Sequence, residues 1–263
     1  VQTLVVETTR RSSSGTARIA WITGASSGIG RALAVALAQA GWEVAVSARN
    51  REELLALEDV VPSNIFAYPV DVTNAAAVAR TFRLIEDGLG PLDLAVFCAG
   101  TYARDGVRDF DVARFSSIVH VNLLGTVYCL EAAMAQMRAR GRGHIAVVSS
   151  TAGLVGLPGA AAYGASKAAL IAMCEALYPD LAAHGIDLSL INPGFVDTPL
   201  TQKNDFPMPF LVTAEKAAAT IMRGLEARRY EIIFPWQMAL AMKALRLMPA
   251  RLRFALTRRM LRD

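Results

Sequence analysis

Thr23-Gly24-Ala25-Ser26-Ser27-Gly28-Ile29-Gly30 stands between an apolar run, Arg18-Ile19-Ala20-Trp21-Ile22, and an alanine-rich run, Arg31-Ala32-Leu33-Ala34-Val35-Ala36-Leu37-Ala38-Gln39-Ala40. The first run has the length of a buried strand and the last has the composition of a helix, so the glycines form the turn that joins them. Glycine lets the backbone approach a pyrophosphate, and the N-terminus of the following helix offers unpaired N–H groups and a favourable dipole. A glycine cluster alone is an ordinary tight turn. One set between strand and helix is a phosphate-binding pattern.

Outward from this turn the alternation repeats. Strand patterns lie at Ile19–Thr23, Glu43–Ala48, Ile65–Val70, Leu92–Phe97, Gly143–Ser149, Ile186–Ile191 and Tyr230–Phe234. Helical patterns fill the intervals at Ile29–Ala40, Glu52–Leu57, Ala75–Gly88, Val112–Arg140, Ala161–Ala183 and Ala214–Ala227. Such alternation predicts an α/β fold, a parallel sheet of about seven strands covered on both faces. No Pro/Gly/Ser-rich linker separates Arg18 from the C-terminal region, so the 263 residues are expected to form one domain. Its body is 17–235, with a helical extension at 236–263 and a flexible polar tail at 1–16. Ligands in such sheets bind at the carboxyl ends of strands, where Gly24, Asp71, Gly100, Ser150 and Pro193 fall.

Ser149-Ser150 precedes Tyr163-Gly164-Ala165-Ser166-Lys167. Residues four apart share a helix face, so Lys167 can sit beneath Tyr163, and a cation that close favours the phenolate. A free tyrosine, with a pKa of about 10, is a poor base near neutrality, and each unit of depression corresponds to about 1.4 kcal/mol. A serine hydroxyl would hold a carbonyl or alcohol oxygen against the phenol, which makes an acid/base site. Alone, two such residues on one helix are more often a solvated face than a catalytic pair.

These pieces occur in order with Asp71-Val72 after the third strand, Cys98-Ala99-Gly100 after the fourth, Val121-Asn122 in the long helix and Pro193-Gly194 after the sixth strand. Together they resemble the short-chain dehydrogenase/reductase family over roughly residues 18 to 235. The glycine spacing is that family's Gly-x-x-x-Gly-x-Gly, not the Gly-x-Gly-x-x-Gly of longer dehydrogenases. The resemblance implies a Rossmann-type doubly wound sheet and a catalytic tetrad of Asn122, Ser150, Tyr163 and Lys167, with the spacing to Tyr163 selecting Ser150 over Ser149. It implies reversible hydride transfer between a nicotinamide and a carbonyl or alcohol carbon. Tyr163 would transfer the proton, and Lys167 would lower its pKa and hold the nicotinamide ribose. Ser150 would orient the substrate oxygen, and Asn122 would fix a water linking Lys167 to solvent. Cofactor contacts are implied for Gly24, Ser26, Ser27, Gly28, Ile29, Gly30, Arg49, Asp71, Val72, Ala99, Gly100, Tyr163, Lys167, Pro193, Gly194, Val196 and Thr198. Among these, Asp71 resembles the adenine-contacting residue, and Ile29, Val196 and Thr198 resemble contacts to pyrophosphate and carboxamide. Val112–Arg140 and Ala161–Ala183 resemble the helices that family members pair across a two-fold axis, which implies a homodimer or tetramer.

Two departures stand out. The family usually has Asn-Ala-Gly where this chain has Cys98-Ala99-Gly100, and Cys98 lacks the side-chain bonds with which that asparagine braces neighbouring strands. Pro179 falls inside the helix that holds Tyr163, where it removes a backbone hydrogen bond and predicts a kink beyond the catalytic turn. The cofactor is read from the end of the second strand. Ala48 occupies the family's usual acidic position and Arg49 follows it. A carboxylate there would accept bonds from an adenosine ribose and repel a 2′-phosphate, whereas an arginine attracts the phosphate. NADP(H) is therefore the expected cofactor, with NAD(H) as the second candidate.

Two rival readings remain: a non-catalytic NADP-binding sensor or scaffold on the same fold, and a sugar-nucleotide epimerase or dehydratase. The latter also uses Tyr-x-x-x-Lys, but with a different glycine spacing and a longer substrate domain. Cys98, Cys129 and Cys174 are odd in number and far apart, so free buried thiols are expected; His120, His144 and His184 lack ligand spacing, so no metal is expected. With no signal-like core and no uncharged apolar run of ~18 residues, a cytoplasmic enzyme acting on a small-molecule carbonyl or alcohol is expected. The loop Thr198–Leu211 carries Phe206, Met208 and Phe210 either as a lid over an apolar substrate or as packing anchors.

Residues 236–263 hold Lys243, Arg246, Arg251, Arg253, Arg258, Arg259 and Arg262 against Asp263, a charge of +6 in a chain whose total is +4. On a helical projection from Ala250, Arg251, Arg258, Arg259 and Arg262 cluster on one side. Leu252, Leu256 and Met260 lie on another, interrupted by Arg253. That pattern fits peripheral contact with an anionic membrane, or a helix docked on the body with its arginines in solvent. Confinement of the charge to a terminal extension argues against nucleic acid.

Overall fold

The computed structural model describes residues 17–203 and 206–261, so the tail expected at 1–16 lies outside the described residues. The strands are Ile19–Thr23 (β1), Glu43–Ser47 (β2), Ile65–Ala67 (β3), Leu94–Phe97 (β4), Gly143–Val148 (β5), Ile186–Pro193 (β6) and Glu231–Phe234 (β7). The helices are Gly28–Gln39 (α1), Arg51–Glu58 (α2), Ala75–Gly88 (α3), Val112–Val119 (α4), Gly125–Arg140 (α5), Ala161–Ala183 (α6), Ala214–Glu226 (α7), Trp236–Leu247 (α8) and Ala250–Thr257 (α9). All seven strands pair in parallel in the order β3-β2-β1-β4-β5-β6-β7, the doubly wound α/β arrangement that the alternation predicts.

Strand side chains alternate between two cores, because successive residues point to opposite faces. Trp21, Ala45, Ala95, Phe97, Ile145 and Val147 face one way and meet Val78, Phe82, Leu130, Met137 and Leu170 of α3, α5 and α6. Ala20, Ile22, Val44, Val46, Val96 and Ala146 face the other way and meet Leu33, Leu37, Leu54, Ala217 and Ile221 of α1, α2 and α7. Burial on both faces explains why these strands read as continuous apolar runs.

Three expected helices need comment. The span Val112–Arg140 is not uniformly α-helical: a π-turn at His120–Leu124 separates α4 from α5. A widened turn frees backbone groups, and here the hydroxyl of Thr126 donates to the Asn122 carbonyl at 2.9 Å. This span is apolar enough by composition to cross a membrane, with a mean hydropathy of 1.4, yet Ile118, Asn122, Cys129, Ala133 and Met137 are buried in the body. The second is α6, which continues through Pro179 to Ala183 without a break in its helical assignment. Third, the extension is two helices. Met248 is extended, with ψ 143°, because the ring of Pro249 disfavours helical geometry in the residue before it.

Candidate active site

The β1–α1 turn is built on backbone that favours glycine. Gly24 has φ +69° and Gly28 has φ +55°, and a Cβ on Gly24 would stand 2.7 Å from the Ala99 backbone. A Cβ on Gly28 would lie 2.9 Å from the Thr198 methyl carbon. The turn therefore presses against two other residues expected at the cofactor. Ser27 precedes α1 without a side-chain cap, and the first turn of α1 carries no acidic group. Its N–H groups are thus available to an anion.

This turn opens onto a cavity of about 710 Å³ at the carboxyl ends of the strands. The cavity is lined by every residue for which a cofactor contact is implied, together with Ser150, Cys98 and Thr201. Asn122 is set back from it. Arg49 is exposed at its edge and makes no hydrogen bond or ion pair among the described residues. The Asp71 carboxylate accepts from the backbone and hydroxyl of Thr73 at 2.9 and 2.8 Å, and the backbone bond leads in holding its pKa below the usual carboxylate value.

β5 delivers Ser150 to the cavity and α6 delivers Tyr163 and Lys167. Ser150 Oγ donates to the Pro193 carbonyl at 3.5 Å and accepts the Ala152 N–H at 3.1 Å, and its hydroxyl is near enough to Tyr163 to pull the phenol's pKa down. Lys167 Nζ donates to the Val148 carbonyl at 2.9 Å and lies 5.7 Å from the centre of the Tyr163 ring. Ser149 also borders the cavity, but its hydroxyl is engaged, donating to the Lys167 carbonyl at 2.8 Å, which ties α6 to β5. Asn122 is wholly buried. Its Oδ1 accepts the Thr101 N–H at 2.7 Å, and its Nδ2 donates to the Thr101 carbonyl and to Ser166 Oγ, each at 3.0 Å. Its side chain thus braces the loop after β4 against α6.

The electrostatics correct one expectation. Lys167 does not bring the phenol down: desolvation pushes Tyr163 up to about 12, with the Ser150 bond pulling the other way. Burial likewise lowers Lys167 to about 8, partly opposed by its neighbour Cys98. Removal from water is the largest cause at both groups, and it outweighs the favourable contacts that each retains. The Tyr163 hydroxyl is therefore protonated at neutral pH.

Cys98 also differs from expectation. Cys129 and Cys174 are buried in the core, but Cys98 is half-buried and faces the cavity, where desolvation raises its thiol to about 11. The bracing absent from its side chain is supplied by Thr23, whose Oγ1 accepts the N–H groups of Cys98 and Ala99 at 3.2 and 3.4 Å. Thr23 and Asp105, whose carboxylate accepts the N–H groups of Ala161 and Ala162 at the start of α6, are site-shaping residues that sequence reasoning missed; only the position of Thr23 at the strand end signalled it. Among the described residues no group of three or more His, Cys, Asp or Glu is placed to hold a metal.

Residues 18–207 match the family described as short chain dehydrogenase. An uncharacterized oxidoreductase of Myxococcus xanthus is 39% identical over 246 residues, spanning 92% of this chain and 97% of that protein. Another from Staphylococcus haemolyticus is 37% identical, over 79% and 90% of the two chains. A short-chain dehydrogenase structure from Streptomyces avermitilis superposes with a TM-score of 0.80 at 27% identity, covering 88% of this chain and 92% of that one. A Burkholderia phymatum family member in complex with NAD has the same TM-score, 0.80, at 23% identity over 86% and 92%, a likeness of fold. Sequence match and superposition converge on the region that holds the glycine turn and the Ser150–Tyr163–Lys167 cluster, and the chain belongs to the short-chain dehydrogenase family as an oxidoreductase of that type.

Proposed function

We propose that this protein is an NADP(H)-preferring oxidoreductase that interconverts a carbonyl and a secondary alcohol on an apolar small molecule. The observation that carries this reading is the convergence of Ser150, Tyr163 and Lys167 on the same cavity that the uncapped start of α1 lines. The residues fit a dinucleotide. The turn at Gly24 and Gly28 leaves no room for side chains, the α1 N-terminus suits a pyrophosphate, and Arg49 is free to meet a 2′-phosphate where Ala48 offers no carboxylate. When bound, the nicotinamide supplies or takes the hydride. Ser150 positions the substrate oxygen, and Tyr163 moves a proton between its hydroxyl and that oxygen. A phenol held protonated suits the acid role, donating to the oxygen of a carbonyl as it is reduced.

Asn122, Ser150, Tyr163 and Lys167 are proposed as the tetrad, with Lys167 also binding the nicotinamide ribose. The sensor or scaffold reading would leave such a cluster without a use. A homo-oligomer is proposed as well, because Ala161, Gly164, Ala165, Ala168 and Ala172 leave a shallow groove along α6 that a second helix could approach closely. Light scattering at micromolar concentration tests this, and a strictly monomeric mass rejects it. The function is tested by following NADPH and NADH oxidation against a panel of ketones, aldehydes and steroids. Turnover with NADPH favoured over NADH is expected; binding of NADPH without turnover of any member would replace this reading with the sensor.

A further inference from the structure

Helix α8 is apolar on two opposite sides. At ~100° per residue, Met238, Met242 and Leu245 fall within ~60° of one another, and Trp236, Leu240, Ala244 and Leu247 fall within ~80° on the other side. The first set packs on the body with Val155, Leu154, Leu157 and Phe195. The second faces solvent: Trp236 is 70% exposed, Leu240 63% and Leu247 85%. Helix α9 continues this surface. Thr257 is its one buried residue, while Leu252, Phe254 and Leu256, and beyond them Met260 and Leu261, are exposed. Single exposed apolar residues are ordinary, but eight within 26 residues form a patch that needs a partner.

The charge on the patch selects that partner. Residues 236–261 contain six cations and no acidic residue. Lys243 pairs with Glu231 of β7 at 2.5 Å and Arg253 stacks on the Phe254 ring, while Arg251, Arg258 and Arg259 are exposed. A second copy docking the same face would bring two sets of these cations into one contact with no acidic residue on either side of it to pair them. An anionic surface with an apolar interior matches both features. The patch also adjoins the site. A Cβ on Gly194 would stand 3.0 Å from Met238 Cγ, and Phe195 pairs with Phe206 of the following loop at 5.9 Å between ring centres. Phe210 and Leu211 on that loop are exposed as well.

We propose that α8 and α9 dock the protein on an anionic lipid bilayer. Trp236, Leu240, Leu247, Leu252 and Phe254 enter the interface, and Arg251, Arg258 and Arg259 lie on the headgroups. Resting on the oxidoreductase reading, the further consequence is that the enzyme draws an apolar carbonyl or alcohol from the lipid phase, through the loop beside the cavity.

The test is sedimentation of the full chain with phosphatidylcholine vesicles and with phosphatidylcholine–phosphatidylglycerol vesicles. Two variants accompany it: Trp236→Ser/Leu240→Ser/Leu247→Ser and Arg251→Gln/Arg258→Gln/Arg259→Gln. All six positions are exposed, and circular dichroism verifies the fold. The wild type is expected to pellet with the anionic vesicles in a salt-sensitive way, and each variant to bind at least about tenfold more weakly. Absence of pelleting, or equal pelleting of wild type and both variants, overturns the proposal. So does a drop in oligomeric mass in the serine variant, which would mean that a second copy covers the stripe. NADPH oxidation with the panel of ketones, aldehydes and steroids is measured in parallel. Its absence would remove the oxidoreductase reading and leave the vesicle result standing by itself.

Discussion

Asp105 accepts the backbone N–H of Ala162 at 2.6 Å, and its other carboxylate oxygen takes the N–H of Ala161 at the same distance. Those are the first two residues of α6, the helix that presents Tyr163 on its first turn and Lys167 on its second. The residue at the cap position, Ala160, has no side chain for the task, so a buried carboxylate from the loop after β4 does it across 56 residues of chain. A negative charge at a helix N-terminus also meets the positive end of the dipole. Asp105→Ala is expected to lower stability by about 1–2 kcal/mol, and to reduce kcat more than it raises KM for the cofactor. Asp105→Asn, which keeps an acceptor, should recover part of both. Urea denaturation and steady-state kinetics of the pair check this, and an unchanged kcat in Asp105→Ala would show that the cap has no part in positioning Tyr163.

Tyr163→Phe removes only the transferable proton. Its ring would keep the edge-on contact with Tyr102, 5.3 Å between centres. NADPH binding by fluorescence titration should stay within about threefold of wild type while kcat falls by about three orders of magnitude or more. Near-normal turnover in this variant would reject Tyr163 as the proton donor.

Arg49→Ala addresses the cofactor. The guanidinium lies exposed at the cavity edge, with the carboxylate of Asp71 as its electrostatic neighbour. Loss of a charge-assisted contact to a 2′-phosphate should weaken NADPH by about tenfold or more and leave NADH nearly unchanged. Equal losses for both dinucleotides in parallel titrations would make Arg49 a general feature of the surface.

The parts legible in the sequence were those written in local pattern. The seven strands announced themselves because burial on both faces forces continuous apolar runs, and the glycine turn because its positive φ values exclude side chains. Gly24, Asp71, Gly100, Ser150 and Pro193 could be placed on one cavity because parallel strands deliver their carboxyl ends to one edge. What stayed hidden depends on contacts between distant residues. No local pattern marks Asp105 as the cap of α6, nor the side-chain bonds that tie Asn122, in the π-turn, to Thr101 and Ser166, 21 and 44 residues away. The protonation of Tyr163 was misjudged for a related reason: helical spacing gives the nearness of Lys167 but not the depth of burial, and burial wins.

His144 supplies a pH test away from the cavity. Its ring is buried, Nε2 lies 2.8 Å from Ser189 Oγ, and that hydroxyl donates to the Arg229 carbonyl, so Nε2 is the donor between them. Desolvation, aided by Arg228, lowers its pKa from 6.5 to about 4. The unfolded chain binds the extra proton in that window, so the stability from neutral His144 is complete above pH 6.5 and is lost as the pH falls to about 4. Urea midpoints should drop between those values in the wild type, and less in His144→Gln. An identical drop in both would assign the acid sensitivity elsewhere.

Lys167 reverses the usual expectation that a site residue stabilises its fold. Its ammonium is buried with the Val148 carbonyl as partner, and its pKa falls from 10.5 to about 8. Between those values the folded state binds fewer protons than the unfolded state, so stability rises with pH across the window, and below pH 8 the whole cost of burying the cation is present. That cost is on the order of 3 kcal/mol, and it is partly offset by the bond to Val148 that the substitution would also remove. Lys167→Met, which fills similar space without the charge, should therefore be more stable than wild type by about 1–2 kcal/mol at pH 7. The advantage should shrink by pH 9.5, where the wild-type lysine is largely neutral in the fold. Turnover should fall to background at both pH values. Urea denaturation at the two pH values decides the matter: a Lys167→Met protein less stable than wild type at pH 7 would mean that the buried cation supports the fold, and that the site does not trade stability for chemistry at this position.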